Sequence, residues 1–106
     1  MIKVHYYRRA SGRYPFRDWL MDLSDRRARA AVLRRIDRIM EGNIGERRFV
    51  GDGVWELKID VGPGYRVYYA QEGKTVFLLL CAGSKRTQRE DIARAVEYLN
   101  DYRSRS

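Results

Sequence analysis

Apolar and polar positions alternate from the start of the chain: Ile2, Val4 and Tyr6 share one parity and Lys3, His5 and Tyr7 the other, which predicts a strand with one buried face. Ser11-Gly12 then interrupts the chain, and Pro15 suits the opening turn of a short helix carrying Phe16, Trp19, Leu20 and Leu23 and ending near Ser24. Ser24 or Asp25 is placed to cap a second helix, because Ala28, Val32, Ile36, Ile39 and Met40 recur at helical spacing and Gly42-Asn43 closes the run. Its other side is crowded with Arg27, Arg34, Arg35 and Arg38. From Arg47 the period changes back to two: a weak strand near Arg48-Phe49-Val50, then Val54 to Asp60, Tyr65 to Gln71 and Thr75 to Ala82, separated by glycine-bearing turns. The last of these is nearly all apolar, as a central strand covered on both faces would be. Thr87 with Glu90 three residues on has the form of a capping box, and Ile92, Val96 and Leu99 mark the buried stripe of a closing helix that runs to about Tyr102. The Arg-Ser-Arg-Ser tail has nothing apolar to anchor it and is expected to fray. The order predicts an α+β protein: strand, two helices, strand meander and C-terminal helix, with helices covering one side of a twisted antiparallel sheet.

Composition narrows the class. The 106 residues suit one domain spanning 1–106, and 44% hydrophobic content argues against disorder. With 22 Lys and Arg against 14 Asp and Glu, the net charge of +8 creates a field that attracts polyanions, so a nucleic acid or an acidic protein is the expected partner. The longest apolar run, Val76 to Ala82, is far short of the ~20 residues of a spanning helix, and no signal-peptide pattern opens the chain; a cytoplasmic protein with no membrane contact is expected. Cys81, the one cysteine, lies within that run and reads as a buried small hydrophobe, which leaves neither a disulfide nor a thiolate zinc site. No phosphate-cradling glycine loop, metal-binding histidine pair or serine–histidine pattern appears, so no metal and no cofactor is expected.

The candidate chemistry lies on the strands. In the strand from Val54, residues Trp55, Leu57 and Ile59 share the core parity, while Glu56, Lys58 and Asp60 share the other; in the next, Arg66 and Tyr68 oppose Tyr65, Val67 and Tyr69. Pairing the apolar faces projects Lys58, Arg66 and Tyr68 together, with Lys85 and Arg86 at the rim and Gln88 beyond. Cations hold a phosphate through charge-assisted hydrogen bonds and tyrosine offers a stacking surface for an unpaired base, a combination that suits single-stranded RNA. RNA is cut without a metal when its own 2′-hydroxyl attacks the adjacent phosphate and cations stabilise the developing charge. The bland reading of the same pattern is a polar sheet face that meets only solvent or a partner protein.

The element order and the motifs Trp55-Glu56-Leu57, Gly64-Tyr65-Arg66-Val67-Tyr68-Tyr69 and Gly83-Ser84-Lys85-Arg86-Thr87-Gln88 together resemble the RelE/ParE toxin superfamily, and most of all its HigB-like addiction module killer branch. The resemblance spans nearly the whole chain. It implies a RelE-like fold and the toxin of a type II toxin–antitoxin system, a ribosome-dependent mRNA endoribonuclease that arrests translation. The implied partners are a cognate antitoxin and mRNA on the ribosome, with operator DNA reached only through the antitoxin. By motif it implies catalytic roles for Lys58 and Arg66 and, for Lys85 or Arg86, that of the phosphate-holding arginine, so that these four form the expected catalytic set; Tyr68, Gln88, Arg34 and Arg38 are the expected RNA contacts. Two departures stand out: Glu56 occupies a position where a second lysine is often found, and the closing helix has no tyrosine where a proton-transferring one occurs. The general base is therefore left open among Asp91, Gln88 and Tyr68, and His5 reads as a surface residue.

Two alternatives compete with the ribonuclease. A ParE-like protein would inhibit DNA gyrase by binding alone, and a decayed toxin would persist only as an antitoxin-binding module. On the strand pattern alone, Arg66→Ala is expected to abolish cleavage without unfolding the protein, since Arg66 would make no core contact.

Overall fold

The computed structural model describes residues 2–105. Its elements follow the predicted order: β1 (Lys3–Tyr6), α1 (Pro15–Asp22), α2 (Arg26–Met40), β2 (Arg48–Gly51), β3 (Val54–Ile59), β4 (Tyr65–Glu72), β5 (Val76–Ser84), a short 3-10 turn (Lys85–Thr87) and α3 (Gln88–Arg105). Pro15 opens α1 at a position where its missing N–H costs nothing, and Phe16 and Leu20 are the residues α1 buries. Asp25 caps α2 by accepting from the backbone N–H groups of Arg27 and Ala28. Ala28, Val32, Ile36 and Ile39 form its buried stripe, while Met40, expected there, is 37% exposed at the last turn.

The sheet order is β1-β5-β4-β3-β2, and it is mixed where an antiparallel sheet was expected. β2 through β5 form the antiparallel meander, but β1 pairs with β5 in parallel. The long connection through two helices frees β1 from hairpin geometry, so it returns alongside β5 in the same direction and covers an edge that would otherwise be bare.

Helices cover both faces, which corrects the expectation of one. On one face α1 and α2 pack Phe16, Leu20, Val32 and Ile39 against Leu57, Ile59, Val67, Tyr69, Phe77 and Leu79. On the other, α3 packs Ala95, Tyr98 and Leu99 against Val54, Tyr68, Ala70, Leu78, Leu80 and Cys81. A bulge in β5 explains why the second face is also apolar. Tyr68 pairs with Cys81 and Tyr69 with Leu79, so Leu80 is the extra residue and both Leu80 and Cys81 turn toward α3. Without that insertion one of them would sit on the α2 side. Cys81 is buried as expected, and burial pushes its thiol up to about 12. Tyr7, counted with the polar parity, is instead 2% exposed beneath α3 and donates to Asp101 at 2.5 Å.

The start of the last helix differs from the capping-box expectation. The cap is Ser84, whose hydroxyl accepts from the Arg86 N–H, and the Thr87 hydroxyl donates to the Asp91 carboxylate at 2.6 Å instead of capping the backbone. Gly83 is needed there, since a Cβ on it would meet Asp91 Oδ2 at 1.8 Å. At the other end α3 continues to Arg105 where fraying was expected; Ser106, the last residue of that expectation, lies outside the described residues. Arg103 reaches Glu72 at 3.3 Å and Arg105 reaches both Asp101 at 2.7 Å and the Arg8 carbonyl at 2.6 Å, so polar contacts supply the anchor that apolar residues do not.

Among the described residues no helix is long and apolar enough to cross a membrane.

Candidate functional site

Glu56 and Lys58 on β3 stand directly across from Tyr68 and Arg66 on β4, and by strand parity all four point to the α3 side of the sheet. α3 covers that side only in part. Where its first turn begins, a cleft of about 380 Å³ stays open, lined by Arg35, Glu46, Arg47, Arg48, Glu56, Lys58, Asp60, Arg66 and Gln88. Five cations face three carboxylates, a local excess of positive charge on an already basic protein.

Glu56 is the hub. It is 5% exposed, receives the Gln88 amide at 2.7 Å, and lies 3.5 Å from both the Arg48 and the Arg66 Nε atoms. Buried charges need such partners, because an isolated carboxylate would forfeit its hydration. Arg66 is only 8% exposed, and its Nε and Nη1 are buried with no hydrogen-bond partner among the described residues, so the ion pair with Glu56 leaves buried donors unsatisfied behind the cleft wall. Arg47 is fixed more firmly: its guanidinium lies 4.2 Å from the Trp55 ring centroid and donates to the Tyr69 hydroxyl at 3.2 Å and to Gln71 at 3.1 Å. Lys58 pairs with Asp60 at 3.4 Å in an exposed contact and is otherwise free to engage a ligand.

Of the residues expected at a site, Lys58, Arg66 and Gln88 come together in this cleft. Lys85 and Arg86 do not line it. They are exposed on the 3-10 turn after β5, where the Lys85 N–H donates to the Gly64 carbonyl at 3.2 Å and ties that turn to the start of β4. Arg34 and Arg38 line a neighbouring recess on α2 that shares Arg35, Lys58 and Asp60 with the cleft.

Tyr68 is not an exposed stacking platform. It is 0% exposed in the α3 core, and burial together with the Glu56 charge pushes its phenol far above its ordinary range. Its hydroxyl is buried without a hydrogen-bond partner among the described residues. Asp91 also lies elsewhere: it is 3% exposed, held by Thr87 and Arg94, and serves to seat α3. His5 is exposed on β1, which β5 and β4 separate from β3. The pattern of the strands passed over Arg47, Arg48 and the role of Glu56. Glu56 had a signal, since it is two residues from Lys58 on the same parity; Arg47 precedes and Arg48 opens a strand too irregular to assign a face.

Burial of Arg66 also corrects the expected cleanness of its truncation. Removing one partner of a buried pair strips compensation from the other, so Arg66→Ala reports on stability as well as on chemistry.

The fold and the cleft define a small basic α+β protein that presents converging cations and one buried carboxylate at the uncovered end of its sheet. Similarity to known proteins agrees. The chain belongs to the phage-derived Gp49-like protein family (DUF891), which matches residues 18–99 and is a family of RelE/HigB-like toxins. It is also 45% identical over 80 residues to an uncharacterized protein of Haemophilus influenzae (strain Rd), an alignment covering 76% of this chain and 81% of the relative. Membership implies a cognate antitoxin as partner.

Proposed function

We propose that this chain is the toxin of a type II toxin–antitoxin pair of the HigB kind, acting in the cytoplasm, and that it cuts mRNA on the ribosome. The observation that carries the reading is the pairing of Lys58 with Arg66 across β3 and β4, with Glu56 beside Arg66 in the same cleft. In the reaction the RNA 2′-oxygen attacks the adjacent phosphorus and the bond from phosphorus to the 5′-oxygen breaks, leaving a 2′,3′-cyclic phosphate and a 5′-hydroxyl. Glu56 takes the proton from the 2′-hydroxyl, and Lys58 Nζ is the donor in the cleft for the departing 5′-oxygen. Arg66, which lines the cleft, stabilises the extra negative charge on the phosphoryl oxygens. The antitoxin restrains the enzyme by laying acidic side chains over the same cations, and operator DNA is contacted through the antitoxin.

Inducing the protein in bacteria and mapping transcript ends tests this directly. New 5′ ends are expected within translated frames, and Lys58→Ala should reduce them by a factor of ~10² to 10³. Lys58 makes only an exposed ion pair, so the variant's stability should stay within about 0.5 kcal/mol. Intact transcripts beside broken DNA would move the protein to gyrase inhibition.

A further inference from the structure

The recess on α2 adjoins the cleft so closely that Arg35, Lys58 and Asp60 form a wall common to both. Beyond that wall Arg34 and Arg38 sit one helical turn apart on the exposed side of α2. Neither guanidinium has an ion-pair partner among the described residues. Like charges four residues apart disfavour a helix by roughly 0.2–0.5 kcal/mol, so this pair opposes the element that carries it unless an anion neutralises it. The recess is small, about 260 Å³, and its other walls include Ala31, Ile59 and Val61. It has room for a phosphate but no aromatic ring on which a base would stack.

We propose that this recess holds a flanking phosphate of the strand whose scissile phosphate lies in the Glu56 cleft, so that the protein grips single-stranded RNA through at least two consecutive backbone positions. The inference rests on the ribonuclease reading of the cleft and adds to it a binding subsite and a direction: the strand runs from Arg66, past the shared Lys58 wall, onto α2. Because Arg34 and Arg38 meet the backbone alone, the subsite adds affinity without sequence preference.

Binding of uncleavable 2′-O-methyl oligonucleotides, followed by fluorescence anisotropy, separates the possibilities. For the unaltered protein a tetranucleotide, with several phosphates, should bind about tenfold more tightly than a dinucleotide with one, the value of one charge-assisted phosphate contact. In Arg34→Gln/Arg38→Gln that ratio should fall toward one, and the slope of log affinity against log salt for the tetranucleotide should shrink by about 0.7, the value of one phosphate on a single strand. Lys58→Ala should weaken both probes, since its side chain belongs to both recesses. A tetranucleotide advantage that survives the double substitution, with Lys58 still required, overturns the α2 subsite and leaves the cleft reading standing. If neither probe binds the unaltered protein, both readings fall together.

Discussion

Arg66 and Tyr68 lie two residues apart on one strand and point to the same side of one sheet, yet they live in different environments. Tyr68 is sealed under α3, among Leu78, Leu80 and Cys81, whereas Arg66 lines an open cleft with Lys58 and Gln88. Their shared parity sets the face, and the landing place of α3 sets the depth. The cleft therefore opens where the helix leaves the α3 side uncovered, bounded by Gln88 at the helix's own first residue, and it reaches round to Arg35 of α2. A partly covered sheet face lets the same strands provide a core at one end and a site at the other.

The sharpest way to break this contrast is to remove the side chain on its buried side. Tyr68→Ala should cost about 3–5 kcal/mol, as other large-to-small core substitutions do, and a urea midpoint measures it. Tyr68→Phe isolates the hydroxyl, which is buried with no partner among the described residues. Deleting it should leave stability unchanged or raise it by up to about 1 kcal/mol, with transcript cleavage intact. Loss of cleavage in Tyr68→Phe at full stability would place the phenol in the chemistry and contradict the division drawn between the two ends.

The next effect comes from the open side. Arg66→Ala takes one of two guanidiniums from a carboxylate that is 5% exposed, and since Arg48 and Gln88 remain, the expected loss is about 2–3 kcal/mol, below the full penalty for orphaning a buried charge. Combining it with Glu56→Gln should recover more than 1 kcal/mol of that loss, a coupling that a double-mutant cycle reads directly. Additive costs would mean that the two side chains do not act as a pair.

These effects mark which parts of the molecule were legible beforehand. The face shared by Lys58 and Arg66 follows from alternation, because a strand's side chains repeat every two residues whatever packs above them. Helix α2 was legible for a similar reason, with its apolar period and an Asp cap next to it. What alternation does not hold is anything decided by distant segments. The depth of Tyr68 depends on where α3 lands, the turn of both Leu80 and Cys81 toward α3 depends on a bulge opposite β4, and the meeting of Arg35, Arg48 and Glu56 in one cleft joins three elements with no common local pattern. The parallel pairing of β1 is of the same kind, since nothing within Lys3–Tyr6 distinguishes a parallel neighbour from an antiparallel one. The order of Arg103 to Arg105 was not legible because their anchors are ion pairs with Glu72 and Asp101, which the absence of apolar residues does not reveal.

The smallest effect sharpens the comparison through pH. The covered end of the sheet stores its acids in neutral form: burial raises the Cys81 thiol from its ordinary 9.0 to about 12, and burial with the Asp101 hydrogen bond raises the Tyr7 phenol from 10.0 to about 12. Burial raises Tyr98 as well. A group whose folded pKa lies above its unfolded one binds more protons in the folded state, so its stabilisation is complete below the unfolded value and drains away as pH rises toward the folded value. Stability should therefore hold up to about pH 9 and then fall, by something on the order of 2 kcal/mol between pH 8 and 11. Cys81→Ala should delay the onset toward pH 10, and Tyr7→Phe should flatten the remaining slope. Because these groups lie under α3, amide exchange along Ala95, Tyr98 and Leu99 should quicken over the same range before it does in α2. A urea midpoint that stays level to pH 11 would show that α3 does not hold these side chains out of water, and the division between a sealed end and an open end of one sheet face would lose its basis.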